Sequence, residues 1–105
     1  MDATDYQRLA IKTNIYKDIR EMALGFASEA GEVAGKISKI YRDNNGEWSH
    51  ERCEEVGMEL GDCCWFIAAL LYEIGIDFGY AMDKNIAKLA DRAKRGVIGG
   101  SGDNR

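Results

Sequence analysis

The sequence from Asp18 to Arg42 is DIREMALGFASEAGEVAGKISKIYR. Its apolar residues recur at intervals of three and four, which is the spacing of a helix that packs one face on a core. The members of this stripe are Ile19, Met22, Phe26, Ala30, Val33, Ile37 and Ile40. The chain contains no proline, so nothing forbids long helices. The stretch therefore predicts a long amphipathic helix and places the protein in the all-α class.

Three further helices follow from the same spacing and from residues that favour helix ends. They span about Asp2–Ile15, Ser49–Ile74 and Asp77–Arg95. Ser49 and Asp77 are suitable N-caps, because their side-chain oxygens can accept hydrogen bonds from the first free backbone N–H groups. Asn44-Asn45-Gly46 and Gly96 are expected to end the preceding helices, since asparagine and glycine tolerate left-handed backbone conformations. The expected architecture is a compact four-helix bundle.

The chain of 105 residues is predicted to form one domain followed by a short tail. Residues 1–95 make up the all-α domain, and residues 96–105 are glycine-rich and polar. We expect this tail to be flexible, or to become ordered by a ligand. A small helical domain buries only part of its apolar surface, so assembly into a homodimer or homotetramer is also expected.

The formal net charge of −4 disfavours binding to nucleic acid, which requires clustered Lys and Arg. No apolar run is long enough to span a bilayer, and the N-terminal residues lack the basic and apolar regions of a signal peptide. We therefore predict a cytoplasmic protein without a nucleic-acid or membrane partner.

The three cysteines, Cys53, Cys63 and Cys64, have neither the spacing of a zinc site nor that of an even disulfide framework. We interpret them as reduced thiols. Cys63 and Cys64 are expected to be buried as small apolar residues, since free cysteine is commonly found in protein cores.

Two carboxylate pairs, Glu29 with Glu32 and Glu59 with Asp62, each stand three residues apart on a predicted helix. Side chains at this spacing are neighbours on the helix surface. At about 100° per residue, Glu59 falls inside the apolar stripe of its helix, and Glu29 lies beside the stripe of the other. Carboxylates close to a core are unfavourable unless a cation or a partner neutralises them.

The two pairs could converge across an antiparallel helix interface. Oxygen ligands of this kind suit hard cations such as Mg²⁺ or Mn²⁺. For either pair alone, a solvated helix face is the simpler interpretation. Two pairs on consecutive helices, both at the edge of the core, favour a metal site.

Two segments, LGFASEAGEVA at residues 24–34 and ELGDCCWF at residues 59–66, resemble the MazG-like nucleoside triphosphate pyrophosphohydrolases. The resemblance continues through EIGID at residues 73–77 and NIAKLADR at residues 85–92. It covers most of the chain between residues 20 and 95. The family's signature begins with two adjacent glutamates, and here a serine at position 28 replaces the first, as it often does in shorter members.

This resemblance implies an α-helical homo-oligomer that uses Mg²⁺, or alternatively Mn²⁺, to cleave a nucleoside triphosphate between its α- and β-phosphates. The products would be a nucleoside monophosphate and pyrophosphate. The positions that match the family's metal ligands are Glu29, Glu32, Glu59 and Asp62. Glu29 and Glu32 are also the catalytic candidates, and we favour Glu32 for orienting the attacking water, although sequence alone does not separate a ligand from a general base.

Four residues are candidates for binding the substrate. Asn85 and Arg92 fall on one flank of the fourth helix and are expected to contact phosphates. Lys88 points farther round the helix and matches a basic position that resembles the family's pattern. Trp48, in the loop before the third helix, is the candidate for stacking on a nucleobase, whereas Trp65 lies in an apolar run and is expected in the core.

Two alternatives remain open. The narrower one is a pyrophosphatase that prefers dUTP or dCTP, which a panel of nucleotides would reveal. The other is a noncatalytic helical oligomerisation module whose acidic residues are only surface charge. Metal affinity in the presence of a nonhydrolysable nucleotide would distinguish this module from an enzyme.

Overall fold

The computed structural model describes residues 1–103 and is helical. Its elements are α1 (Ala3–Ala10) with a 3₁₀ turn (Ile11–Thr13), α2 (Ile19–Asp43), α3 (His50–Glu73) and α4 (Phe78–Arg95). No β-strand occurs within the described residues. The all-α class is therefore confirmed. The ends of α2, α3 and α4 lie close to the predicted ones, whereas α1 ends at Ala10, before the predicted Ile15.

Side-chain caps begin the helices where the sequence predicts them. The Ser49 side chain accepts a hydrogen bond from the backbone N–H of Arg52, and Asp77 accepts one from that of Tyr80. Asp18 caps α2 in the same way. At its C-terminus α4 ends at Gly96, whose φ of +74° is a conformation that favours glycine. Local residue chemistry thus sets these boundaries.

The α2 and α3 helices form a long antiparallel pair that carries most of the core. Met22 of α2 packs with Phe66 and Ala69 of α3, and all three side chains are buried. Partly buried apolar residues surround this cluster, namely Tyr16, Phe26, Trp65 and Leu70. Most of the predicted stripe on α2 is therefore buried or partly buried, but two of its members are exposed, namely Ile19 and Ala30.

Gln7 joins α1 to the far end of the hairpin through three hydrogen bonds. Its side-chain nitrogen donates to the carbonyl oxygens of Ala68 and Ile76, and its side-chain oxygen accepts from the backbone N–H of Phe78. Gln7 is buried, and these bonds offset the loss of water around its amide. This one side chain fixes α1 and the start of α4 relative to α3.

The prediction of a compact bundle is wrong for a single chain. The axis of α4 is bent by 101° from that of α3, and within the described residues α4 contacts α1 and α3 but not α2. The radius of gyration is 16.5 Å, compared with about 13 Å for a compact domain of this length. The short connection through Gly75, at φ +78°, turns the chain away from the hairpin.

This divergence leaves apolar side chains of α4 uncovered. Met82, Ile86 and Leu89 all lie on the predicted apolar face of this helix and are exposed in one chain. Among residues 1–103, no individual helix has the length and hydropathy to cross a membrane; only α3 and α4 taken together meet that test, as a bent pair.

The cysteines are unpaired thiols, as predicted. Cys63 is buried between the helices, and this desolvation raises the pKa of its thiol. Cys64 is exposed, so its predicted burial is wrong. Adjacent residues point about 100° apart on a helix, and the side of α3 that carries Cys64 faces an open groove beside Tyr6 and Phe78.

Gly25 allows α2 to approach α3 closely. A Cβ atom at this position would lie 2.5 Å from two carbons of the buried Phe66 ring. We expect Gly25→Ala to lower the free energy of unfolding by about 1 kcal/mol, because overpacking costs about 1–3 kcal/mol and outweighs the gain in helix propensity of at most about 1 kcal/mol. Urea unfolding would measure the change.

Gly35→Ala provides the matched control on the same helix. A Cβ atom there meets nothing within 4 Å, so we expect no loss of stability and a gain of up to about 1 kcal/mol. Equal losses for both variants would contradict a steric role for the Phe66 ring.

Candidate metal centre

Three carboxylates meet where α2 and α3 cross at the middle of the hairpin. Glu29 comes from α2, while Glu59 and Asp62 lie three residues apart on the facing surface of α3. One oxygen atom from each carboxylate lies within 4.8 Å of the others. The predicted convergence of the two helices therefore occurs for these three side chains.

Two of these carboxylates are only partly solvated. Glu29 is half-buried, and the Glu59 side chain is 15% exposed. The Oε2 atoms of both are buried and have no hydrogen-bond partner among the described residues. Buried acceptors without partners are unfavourable, and a hard cation would satisfy them together. The residues present thus fit a divalent metal that prefers oxygen ligands.

Crowding of the acids changes the protonation of Glu29. The pKa of this carboxyl is raised, first because its protonated form can donate a hydrogen bond to Glu59. Desolvation and the negative charges of Glu32, Asp62 and Glu59 act in the same direction. The protein therefore resists full ionisation of this cluster unless positive charge is brought to it.

Lys36 supplies part of that positive charge and was not among the predicted site residues. Its Nζ atom lies 3.6 Å from Oε1 of Glu59. Lys36 follows Glu29 by seven residues, so the two side chains share a face of α2. This spacing places Lys36 on the face of α2 that carries Glu29, but its contact with Glu59 depends on how α2 and α3 pack.

A cleft of about 320 Å³ opens beside the acidic cluster. Its lining residues are Thr13, Ile15, Tyr16, Glu29, Asp62, Trp65 and Phe66. The Trp65 and Phe66 rings pack edge-to-face with centroids 5.0 Å apart, and Tyr16 lies 6.0 Å from Trp65. Carboxylates at one side and aromatic rings at the other give the cleft both a charged and an apolar wall.

Trp65 holds this wall in place. Its indole N–H donates to the carbonyl oxygen of Ala10 and to the hydroxyl of Thr13, at 3.1 and 2.8 Å. The ring is partly buried and packs on the core cluster, as predicted, but it also lines the cleft. Sequence periodicity could not reveal the second role, because the cleft is formed by the segment before α2.

The structure does not bring every candidate residue to the cluster. Glu32 is exposed and lies outside the group of three carboxylates, although its charge acts on Glu29. Trp48 lies in the α2–α3 turn, where its indole N–H donates to the hydroxyl of Tyr41 at 3.1 Å. Twelve residues of helix, about 18 Å, separate Tyr41 from Glu29.

The three candidates on α4 are also separate from the cluster within one chain, because α4 does not contact α2 among the described residues. Asn85 is exposed and Lys88 is half-buried. Arg92 is buried against the tail that follows α4. Their roles as phosphate ligands therefore stay predictions.

The raised pKa of Glu29 predicts how the stability of the metal-free protein changes with pH. In the folded state this carboxyl keeps its proton to a higher pH than in the unfolded state. Its contribution to the free energy of unfolding therefore decreases as the pH rises from the ordinary glutamate pKa through the raised one. Glu29→Gln should remove this contribution.

Thermal unfolding between about pH 4.5 and 7 in the presence of a chelator would test this. We expect the Tm of Glu29→Gln to rise relative to that of the unsubstituted protein as the pH increases. Glu21→Gln removes an exposed carboxylate of the same helix and provides the reference. A constant difference in Tm across the range would contradict the raised pKa.

The fold and the cluster together define an α-helical protein with a group of three carboxylates at a helix–helix interface, arranged so that they could hold a metal ion. Residues 17–97 match the family described as the MazG nucleotide pyrophosphohydrolase domain. This match covers most of the chain, so the chain belongs to that family. The resemblance noted in the sequence is confirmed.

A phage protein is similar to this chain over nearly its full length. The chain is 37% identical over 109 residues to the Gene 37 protein of Mycobacterium phage L5, which covers 95% of this chain and 96% of the phage protein. No solved structure gives a significant match. The family assignment thus rests on sequence, and the geometry of the acidic cluster is consistent with it.

Proposed function

We propose that this protein is a Mg²⁺-dependent nucleoside triphosphate pyrophosphohydrolase that cleaves (d)NTP between the α- and β-phosphates. The products are (d)NMP and pyrophosphate. The observation that carries the proposal is the cluster of Glu29, Glu59 and Asp62, with two buried oxygens that lack hydrogen-bond partners. Membership of a nucleotide pyrophosphohydrolase family supplies the reaction class. A cytoplasmic location, where nucleotide pools are found, is part of the proposal.

Glu29, Glu59 and Asp62 would hold the metal, and Mn²⁺ would also fit their oxygen donors. A bound divalent cation supplies charge neutralisation for the triphosphate and lowers the pKa of water. We assign Glu32, exposed one turn from Glu29, to orienting the water that attacks phosphorus. Lys36 fixes the Glu59 carboxylate through their ion pair.

The aromatic wall of the cleft offers a surface for the nucleobase. Trp65 and Tyr16 lie beside the acidic cluster in the same cleft, whereas Trp48 lies at the far end of the hairpin. Stacking on an aromatic ring is tolerant of base identity, because every base has a π face. We therefore propose Trp65 as the stacking residue and expect a broad range of accepted bases.

We also propose that the protein assembles as a homodimer or homotetramer. In one chain, the apolar face of α4 is uncovered, and the radius of gyration exceeds that of a compact domain. Packing α4 on a second copy would cover this face. It would also provide a way for Asn85, Lys88 and Arg92 to reach an acidic cluster that they do not contact within their own chain.

An assay with a panel of ribo- and deoxyribonucleoside triphosphates tests the reaction. We expect Mg²⁺-dependent release of pyrophosphate and the matching monophosphate, and loss of turnover with a chelator. Release of a nucleoside diphosphate and inorganic phosphate would contradict cleavage at the α-phosphorus. Calorimetry with a nonhydrolysable nucleotide provides the second criterion, because absence of Mg²⁺ and Mn²⁺ binding would instead support a noncatalytic helical module.

A further inference from the structure

The segment that follows α4 turns back onto this helix, and its Asp103 contacts two basic side chains. After Gly96, the backbone reverses, and the Asp103 carboxylate lies over the last turns of the helix. Its Oδ1 atom accepts hydrogen bonds from Nζ of Lys88 at 2.9 Å and from Nη2 of Arg92 at 3.1 Å. Two cations thus converge on one carboxylate oxygen.

Arg92 has the properties of a residue that is preorganised to bind an anion. The residue is only 4% exposed, although it lies on a helix that is otherwise mostly solvated. Its Nη2 atom also contacts the carbonyl oxygens of Gly102 and Asp103, at 3.5 and 3.2 Å. Its Nε atom is buried without a hydrogen-bond partner in the described part of the chain.

This arrangement does not use the full capacity of the guanidinium. Arginine offers five N–H donors in a planar fork that matches the oxygens of carboxylate or phosphate in pairs. Here the carboxylate contacts Arg92 through one nitrogen, and a buried donor stays unsatisfied. A phosphate group, with more acceptor oxygens than a carboxylate, could satisfy more of these donors.

Asp103, the acid that occupies the site, is held less firmly than Arg92. The Asp103 side chain is 78% exposed, whereas that of Arg92 is 5% exposed. The segment before it contains glycines at φ +102° and +85°, a conformation that L side chains rarely adopt. Lys88 and Arg92 lower the pKa of Asp103, so the group is an anion at neutral pH.

We propose that Asp103 is an internal competitor for an anion site formed by Lys88 and Arg92, and that pyrophosphate or the polyphosphate of a nucleotide displaces it. The nucleotide part of this inference rests on the proposed function, but the competition for inorganic pyrophosphate does not. Because the tail occupies the site in part of the molecules, the apparent affinity for an external anion equals the intrinsic affinity multiplied by the fraction of molecules in which the site is free. The tail would thus set the concentration of phosphate ligand at which the site fills.

Titration calorimetry with inorganic pyrophosphate on the full chain, without added metal, tests the competition. Asp103→Asn keeps the size of the side chain and removes its charge. We expect the variant to bind pyrophosphate about threefold to tenfold more tightly, which corresponds to a tail engaged in roughly two-thirds to nine-tenths of molecules. In Asp103→Asn combined with Lys88→Gln, the gain should be lost, because the site itself is weakened.

Asp91→Asn is the matched control. It removes the same charge from α4, the helix that carries Lys88 and Arg92, but Asp91 pairs with Arg95 at 2.8 Å and not with these two residues. We expect this variant to bind pyrophosphate as the unsubstituted protein does. An equal gain for Asp91→Asn would indicate a general effect of net charge and would overturn the proposal.

A second measurement follows the tail directly. In the unsubstituted protein, the backbone amide resonances of residues 99–102 should shift as pyrophosphate is added, because Asp103 leaves the site. Unchanged resonances at saturation would overturn the proposal. Weaker pyrophosphate binding by Asp103→Asn would also overturn it, since the tail would then be part of the site.

If no nucleotide is hydrolysed but Asp103→Asn still binds pyrophosphate more tightly, the proposed function fails and the competition stands. If nucleotide is hydrolysed but Asp103→Asn binds pyrophosphate with unchanged affinity, the proposed function stands and the competition fails.

Discussion

Replacement of Glu59 by glutamine is expected to lower Mg²⁺-dependent release of pyrophosphate by about a thousandfold. The loss of a metal-binding carboxylate removes several kcal/mol of charge stabilisation at the phosphate, and each 1.36 kcal/mol corresponds to about a factor of ten in rate. The measurement is kcat/KM for a triphosphate that the unsubstituted protein hydrolyses. The same variant should bind Mn²⁺ more weakly in calorimetry.

Substitution of Glu59 has a large expected effect because its carboxylate is mostly shielded from solvent, so water is poorly placed to take over as a metal ligand. Its side chain is 15% exposed, and its Oε2 atom is buried without a hydrogen-bond partner. Glutamine has almost the same shape, so the helix packing should be retained. The substitution also leaves Lys36 without its carboxylate partner, which adds positive charge where the metal would bind.

Glu55→Gln is the control for this prediction. Glu55 lies one turn earlier on α3, where it pairs with Arg52 at 3.0 Å instead of facing the cluster. Its substitution removes the same charge from the same helix and should leave kcat/KM within about twofold, since Glu55 lies outside the acidic cluster and partly solvated ion pairs contribute little. If Glu59→Gln retained Mg²⁺-dependent turnover, the cluster would not be the metal site.

A charge on the apolar face of α4 is expected to dissociate the proposed homo-oligomer. Ile86 is 65% exposed in one chain and lies at the centre of the uncovered face. Burial of an isoleucine contributes about 1.5–3 kcal/mol, and in a two-fold interface each substitution acts twice. Ile86→Glu should therefore weaken association by at least about a hundredfold, and further because a carboxylate would be desolvated.

Light scattering coupled to size exclusion would report the change in mass over a range of protein concentrations. Ala87→Glu adds the same charge at an exposed position, about 100° farther round the helix, and should leave the mass unchanged. A monomeric unsubstituted protein, or equal effects of both variants, would contradict assembly through this face. Retention of activity by an Ile86→Glu monomer would show that one chain holds a complete site.

Much of the fold follows from local sequence patterns. The stripe on α2, the caps at Ser49 and Asp77, and the stop at Gly96 were predicted correctly, because helix formation and its ends depend on residues within one or two turns. The spacing of Glu59 and Asp62 put both carboxylates on one face of α3 for the same reason. These features need no knowledge of what packs against them.

Contacts between distant segments could not be predicted in this way. The hydrogen bonds of Gln7 join α1 to residues more than sixty positions away. The pair of Lys36 and Glu59 depends on the relative position of two helices, which periodicity does not determine. The cleft beside Trp65 likewise requires the segment before α2 to pack on α3.

The carboxylate pairs show which features follow from the sequence alone and which depend on the tertiary structure. The sequence by itself determined which acids share a helix face and that Glu59 falls inside the apolar stripe of its helix, because helical geometry assigns every residue a direction. Only the tertiary structure decided that Glu29 joins Glu59 and Asp62 while Glu32 stays exposed, and that Asp103 reaches Arg92. Those distances depend on how helices and chain ends pack across the molecule, and packing is settled by contacts between residues far apart in the chain.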